Sequence, residues 1–76
     1  MNTKEEKYFK KLGDKIKILR EEKGLDQKTF AFECEISRTQ LHMIESGKTN
    51  PRLLTLMKIA NTLEISLSKL IDFGEF

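Results

Sequence analysis

Capping residues punctuate this chain at short intervals. Thr3 with Glu6, and Ser37 with Gln40, have the spacing of capping boxes, in which two side chains reciprocally satisfy first-turn amides. Asp26 and Ser66 are single caps of the same kind. Behind the caps, apolar residues recur at three- and four-residue steps, the period of one helical face. The pattern predicts five helices and no strands. Helix 1 opens near Lys4, carries Phe9, Leu12, Ile16 and Leu19 on one face, and stops at Gly24, which accepts a left-handed backbone. Its alternative start is near Phe9, with residues 1–8 frayed. Helix 2 runs from Gln27 to about Glu33, with Asp26 accepting from the amides of residues 28 and 29; Phe30, Ala31 and Cys34 face inward. Helix 3 opens at Arg38, turns Leu41 and Ile44 inward and stops by Gly47. Residues 46–51, Ser-Gly-Lys-Thr-Asn-Pro, read as a loop. Helix 4 spans about Arg52 to Leu63 with Leu53, Leu56, Ile59, Ala60 and Leu63 inward, and Ser66 caps a short helix 5 with Leu67, Leu70 and Ile71 apolar. No internal repeat is expected.

At 76 residues this is expected to be one domain, with a core at about residues 9–72 and a tail at 73–76. A chain of this size buries only about 60% of its unfolded surface, so a large pocket would compete with the core. One Cys and one His supply neither a disulfide nor a zinc site. No metal, cofactor or small-molecule ligand is expected. No nucleophile–base pair or phosphate-cradling glycine loop is present, so the chain does not read as an enzyme. No apolar run reaches the roughly 18 residues of a membrane span, and Met1–Lys11 is too polar for a signal peptide. A cytoplasmic setting is expected.

The net charge of +2 conceals an uneven distribution. Residues 1–35 balance to +1, and residues 64–76 to −2. Residues 36–63 carry Arg38, Lys48, Arg52 and Lys58 against Glu45 alone. A locally basic middle suits a polyanionic partner, although a solvated face with chance clustering has the same charge pattern.

Two short capped helices joined by about three residues form a helix-turn-helix pattern. Leu12-Gly13, Ile16, Leu19-Arg20, Lys23-Gly24-Leu25, Gln27, Ala31, Ile36-Ser37, Leu41, Ile44-Glu45, Gly47-Lys48, Asn50-Pro51, Thr55-Leu56, Ile59-Ala60, Leu63 and Ile65-Ser66-Leu67 together resemble the Cro/cI-type, or XRE, helix-turn-helix family over about four fifths of the chain. The resemblance implies an all-α, five-helix bundle of the lambda-repressor-like type, with helices 2 and 3 as the helix-turn-helix and helix 3 in the DNA major groove. It implies a sequence-specific regulator of transcription acting on double-stranded DNA. Small members resemble phage Cro-like repressors and the controllers of restriction–modification systems.

With Leu41 and Ile44 inward, Arg38, Thr39, His42 and Met43 lie on other faces of helix 3 and are the candidates for base contact. Arg38 has the strongest chemistry, a guanidinium able to donate twice to guanine O6 and N7; a phosphate contact is the blunter alternative. Thr39 can bond a base or touch a thymine methyl, and Met43 offers apolar contact. His42 is otherwise a surface residue. Gln27, Lys28, Gln40, Lys48, Asn50 and Arg52 are the candidate phosphate contacts, with Gln27 heading helix 2. The resemblance further implies that Arg20 and Glu45 pair between helices 1 and 3 and orient helix 3. Two residues depart from the family pattern. Glu35 stands where the helix 2–3 turn often has Gly, and Asp26 stands where Ser or Thr is usual, placing a negative charge near the expected phosphate site.

Cys34 reads as a small core residue, and the Lys/Glu alternation of helix 1 as a solvated face. Leu67, Leu70, Ile71, Phe73 and Phe76 are too many apolar residues for so small a domain to bury, which predicts a homodimer surface through helix 5 and the tail. The competing arrangement folds Phe73 and Phe76 back on helix 1 near Tyr8 and Phe9. A second functional reading is a protein-interaction module, an antitoxin or adaptor, using this same apolar surface.

Overall fold

The computed structural model describes residues 2–72. Five helices follow in order: α1 Thr3–Glu22, α2 Gln27–Glu33, α3 Arg38–Glu45, α4 Leu53–Thr62 and α5 Leu67–Leu70. No strand occurs among the described residues. Helix α1 is the spine on which α3 and α5 rest; α2 packs on α3, and α4 on α5.

The α1 cap lies one residue earlier than expected. Asn2 accepts from the Glu5 amide at 2.9 Å, and the Glu5 carboxylate accepts from the Asn2 amide at 3.2 Å. The sequence holds two overlapping boxes, and Asn is the better capping residue than Thr. The helix therefore starts at Thr3, not at Phe9. At α3 the Ser37 hydroxyl accepts from the Gln40 amide at 3.0 Å, the one half of the expected box that forms. Asp26 caps α2 by accepting from Thr29 N at 2.7 Å.

Helices α1 to α4 all end in the same six-to-one and five-to-two backbone pairing. At α2, Ile36 N donates to Ala31 O and Glu35 N to Phe32 O; at α4, Ile65 N donates to Ala60 O and Glu64 N to Asn61 O. This termination needs one residue with positive φ. Gly24 (75°) and Gly47 (71°) supply it after α1 and α3. Glu35 and Glu64, both at 60°, supply it after α2 and α4.

The core consists of Leu12 and Ile16 of α1, Phe30, Ala31 and Cys34, Leu41 and Ile44 of α3, Ile59, Ala60 and Leu63, and Leu70 of α5. Three sequence expectations are corrected here. Leu53, expected inward, is 62% exposed. It is the first residue of α4, and helical side chains lean toward the N-terminus, so it projects past the end of the packed stretch. Thr55 takes a buried place instead. Leu70, assigned to a dimer surface, is 0% exposed, enclosed where α5 closes against α1 and α4. Residues 30–41 and 59–70 also share one plan, an Ala, a left-handed Glu, an Ile and a capping Ser leading to a fully buried Leu41 or Leu70, so an internal repeat is present after all. Of the remaining residues assigned to that surface, Leu67 is half-buried against the core and Ile71 is exposed, while Phe73 and Phe76 lie outside the described residues.

Two contacts fix the stack on α1. Gly13 lies against the end of α3, where a Cβ would come within 2.6 Å of the Glu45 carbonyl oxygen. Lys15 Nζ donates to Lys69 O at 2.5 Å and to Asp72 O at 2.7 Å, tying the end of α5 to the spine.

Candidate nucleic-acid interface

Helix α3 is two-sided because of where its apolar residues fall. Leu41, Ile44 and Glu45 are buried, and Arg38, Thr39, Gln40, His42 and Met43 are exposed. Arg38, Thr39 and His42 share one shallow concavity with Gln27 of α2. Four expected contact residues, drawn from two helices, therefore meet at one place. Met43 is at the margin of exposure, at 37%. Lys28, Gln40, Lys48, Asn50 and Arg52 are all exposed, the last three along the α3–α4 connection, with Arg52 as the α4 N-cap residue.

Beneath this face lies an ion pair. Arg20 Nε donates to Glu45 Oε2 at 2.7 Å, and Nη2 to Oε1 at 3.0 Å, a fork on a fork. Arg20 is 6% exposed and Glu45 4%. The remaining guanidinium nitrogen, Nη1, donates to Leu25 O at 2.7 Å in the α1–α2 connection. The hydrogen bonds to Glu45 raise the Arg20 pKa above its ordinary value, against the opposing effect of burial. Three elements are thereby joined: α1 through Arg20, α3 through Glu45, and the entry to α2 through Leu25.

One further donor reaches this carboxylate. Gln27 Nε2 donates to Glu45 Oε1 at 3.0 Å. No spacing in the sequence marks this link, which joins residues of separate helices whose separation is neither a helical nor a capping one. Asp26 is exposed; its hydrogen bonds from Thr29 hold the carboxyl below the usual carboxylate range, and the charges of Arg38 and Lys28 lower it further. Cys34 is buried, and burial pushes its thiol up, as suits a core residue. Among the described residues no His/Cys/Asp/Glu cluster with metal-binding geometry occurs, and no helix is long and apolar enough to cross a membrane.

Comparison with known proteins gives a consistent result. A helix-turn-helix family model, HTH_3, matches residues 16–70. Control protein C.MunI of a Mycoplasma species is 44% identical over 63 residues, 82% of this chain and 85% of that protein. The HTH-type transcriptional regulator DdrOP3 of Deinococcus deserti is 39% identical over 66 residues, 87% of this chain, which spans only 51% of the regulator's length. Among solved structures, the restriction–modification controller protein C.AhdI from Aeromonas hydrophila superposes with a TM-score of 0.79 at 34% identity, covering 82% of this chain and 94% of that one.

Proposed function

The chain belongs to the helix-turn-helix family HTH_3, and on that premise we propose that it binds a specific double-stranded DNA site and regulates transcription there, as a repressor or controller. The observation that carries this reading is the two-sidedness of α3, whose buried Leu41, Ile44 and Glu45 leave Arg38, Thr39 and His42 outward beside Gln27. In the proposed complex α3 lies in the major groove. Arg38 donates twice to a guanine edge, and Thr39, His42 and Met43 contact neighbouring bases. Gln27, Lys28, Gln40, Lys48, Asn50 and Arg52 hold phosphates and set the register. Relatives named as control protein, transcriptional regulator and immunity repressor support the regulatory role. The chemistry is occupancy of DNA, with no catalytic step, in the cytoplasm where the DNA lies.

The reading includes a homodimer. Ile71 of the expected surface is a large apolar residue left exposed beyond α5, and Leu53, Leu54 and Met57 of α4 join it in place of the buried Leu70. Two copies would place their α3 helices on half-sites about one DNA turn apart. Selection from a random pool of duplex DNA tests the whole reading. It should enrich a two-fold symmetric site, and recovery of an unenriched pool would overturn it.

A further inference from the structure

The Glu45 carboxylate does more than neutralise Arg20. We propose that Glu45 is a positioning residue for DNA binding, acting through Gln27: it fixes the Gln27 amide so that its free N–H faces the DNA backbone beside Arg38. This rests on the DNA-binding reading above.

Three donors converge on the carboxylate: Arg20 Nε and Nη2, and Gln27 Nε2. An ionised carboxylate only accepts, so it selects the nitrogen end of the Gln27 amide and leaves one N–H of that nitrogen for another partner. A phosphate oxygen also only accepts. An amide turned the other way would present its carbonyl oxygen to the phosphate and repel it. Gln27 is half-buried and lines the concavity with Arg38, Thr39 and His42, so its side chain lies beside the expected base-reading residues.

An acid this close to a polyanion would ordinarily oppose binding. Here Arg20 pairs with it through both oxygens, and both residues are almost fully enclosed, so the pair carries no net charge toward the DNA. Because the glutamine is ordered when the chain folds, its rotamer freedom is not lost again on binding.

The test compares Gln27→Ala, Gln27→Asn, the charge-neutral replacement Arg20→Met/Glu45→Leu and the triple variant Gln27→Ala/Arg20→Met/Glu45→Leu, each checked for folding, on one DNA site selected from the random pool. Asn keeps the amide but is one methylene too short to reach Glu45, and at a half-buried surface position it leaves the fold intact. Gln27→Ala, Gln27→Asn and the pair replacement should each lose about three- to tenfold in affinity, the scale of one hydrogen bond, and the triple variant no more than the worst of them. Gln27→Asn binding like wild type, or losses that multiply in the triple variant, would overturn the proposal. The free protein supplies a readout independent of DNA: the Gln27 side-chain amide protons should be well separated and slow to exchange, and should approach free-glutamine behaviour in Arg20→Met/Glu45→Leu. Ordinary exchange in the wild type would overturn the positioning role even where DNA binding is strong. Ordered amide protons with no DNA binding would instead remove the DNA reading, and this proposal with it.

Discussion

Glu35 and Glu64 hold the same left-handed backbone, both at φ 60°, each as the second residue beyond a helix and two before a capping serine. The two turns match bond for bond. Ile36 N–Ala31 O and Ile65 N–Ala60 O are both 3.0 Å, and Glu35 N–Phe32 O and Glu64 N–Asn61 O are both 3.1 Å. One device therefore sets α3 against α2 and α5 against α4. In the first case the following helix presents Arg38, Thr39 and His42 to solvent, and in the second the short α5 closes the core with Leu70.

A left-handed conformation costs an L-residue with a Cβ about 1–2 kcal/mol, part of which returns as the greater unfolded-state entropy of glycine. Glu35→Gly and Glu64→Gly are each expected to stabilise the protein by about 0.5–1 kcal/mol, and a β-branched residue at either position to destabilise it. Urea unfolding midpoints, compared at constant slope, measure this. Gains from glycine at neither position would show that the turns carry no strain.

Loss of one partner from the Arg20–Glu45 pair leaves a buried charge uncompensated. Glu45→Ala is expected to cost about 3–5 kcal/mol of stability. The double replacement Arg20→Met/Glu45→Leu should recover much of that loss, since it removes both charges and keeps apolar volume in place. Denaturant titration of the two variants distinguishes a buried pair from a surface contact, for which each loss would stay below about 1 kcal/mol.

Asp26 makes stability depend on pH in one direction. Its folded pKa lies below the ordinary carboxylate value, so between the two values the unfolded chain binds more protons than the folded one, and stability rises with pH. The contribution is fully present above the ordinary value of about 3.9 and is lost as pH falls through the depressed folded one. Thermal melts should show wild type losing more stability than Asp26→Asn across that acid window. The same substitution removes a negative charge close to Arg38 and Lys28 and should tighten DNA binding at low salt. An identical acid dependence in the two proteins would rule out the cap as its source.

The sequence made much of this visible, and the misses have physical causes. The bounds of α2 and α3 are legible because Asp26 and Ser37 cap them and Gly47 ends α3. Arg20 and Glu45 were expected to pair from family resemblance, and the structure shows the pair buried. The Asn2 cap is not legible because two capping boxes overlap at the start of α1. The burial of Leu70 is hard to read because an apolar residue behind a cap looks the same whether α1 or a second copy covers it. Alignment of residues 30–41 with 59–70 would have placed Leu70 opposite Leu41 and so in the core. The inward bond of Gln27 is invisible in the sequence, since the route from its amide to Glu45 exists only once the helices assemble.

Reading of base edges by α3 is tested most directly by titrating wild type, Arg38→Ala and Lys48→Ala against the selected site and single-base variants of it at several salt concentrations. Wild type should bind with a negative log–log salt slope and a clear site preference. Arg38→Ala should lose about 5- to 150-fold on the preferred site, equivalent to about 1–3 kcal/mol, and lose discrimination at one base position. Lys48→Ala should instead weaken all sequences alike and reduce the slope by about one. Equal losses on every sequence for Arg38→Ala, or no binding of wild type at low salt, would contradict the account.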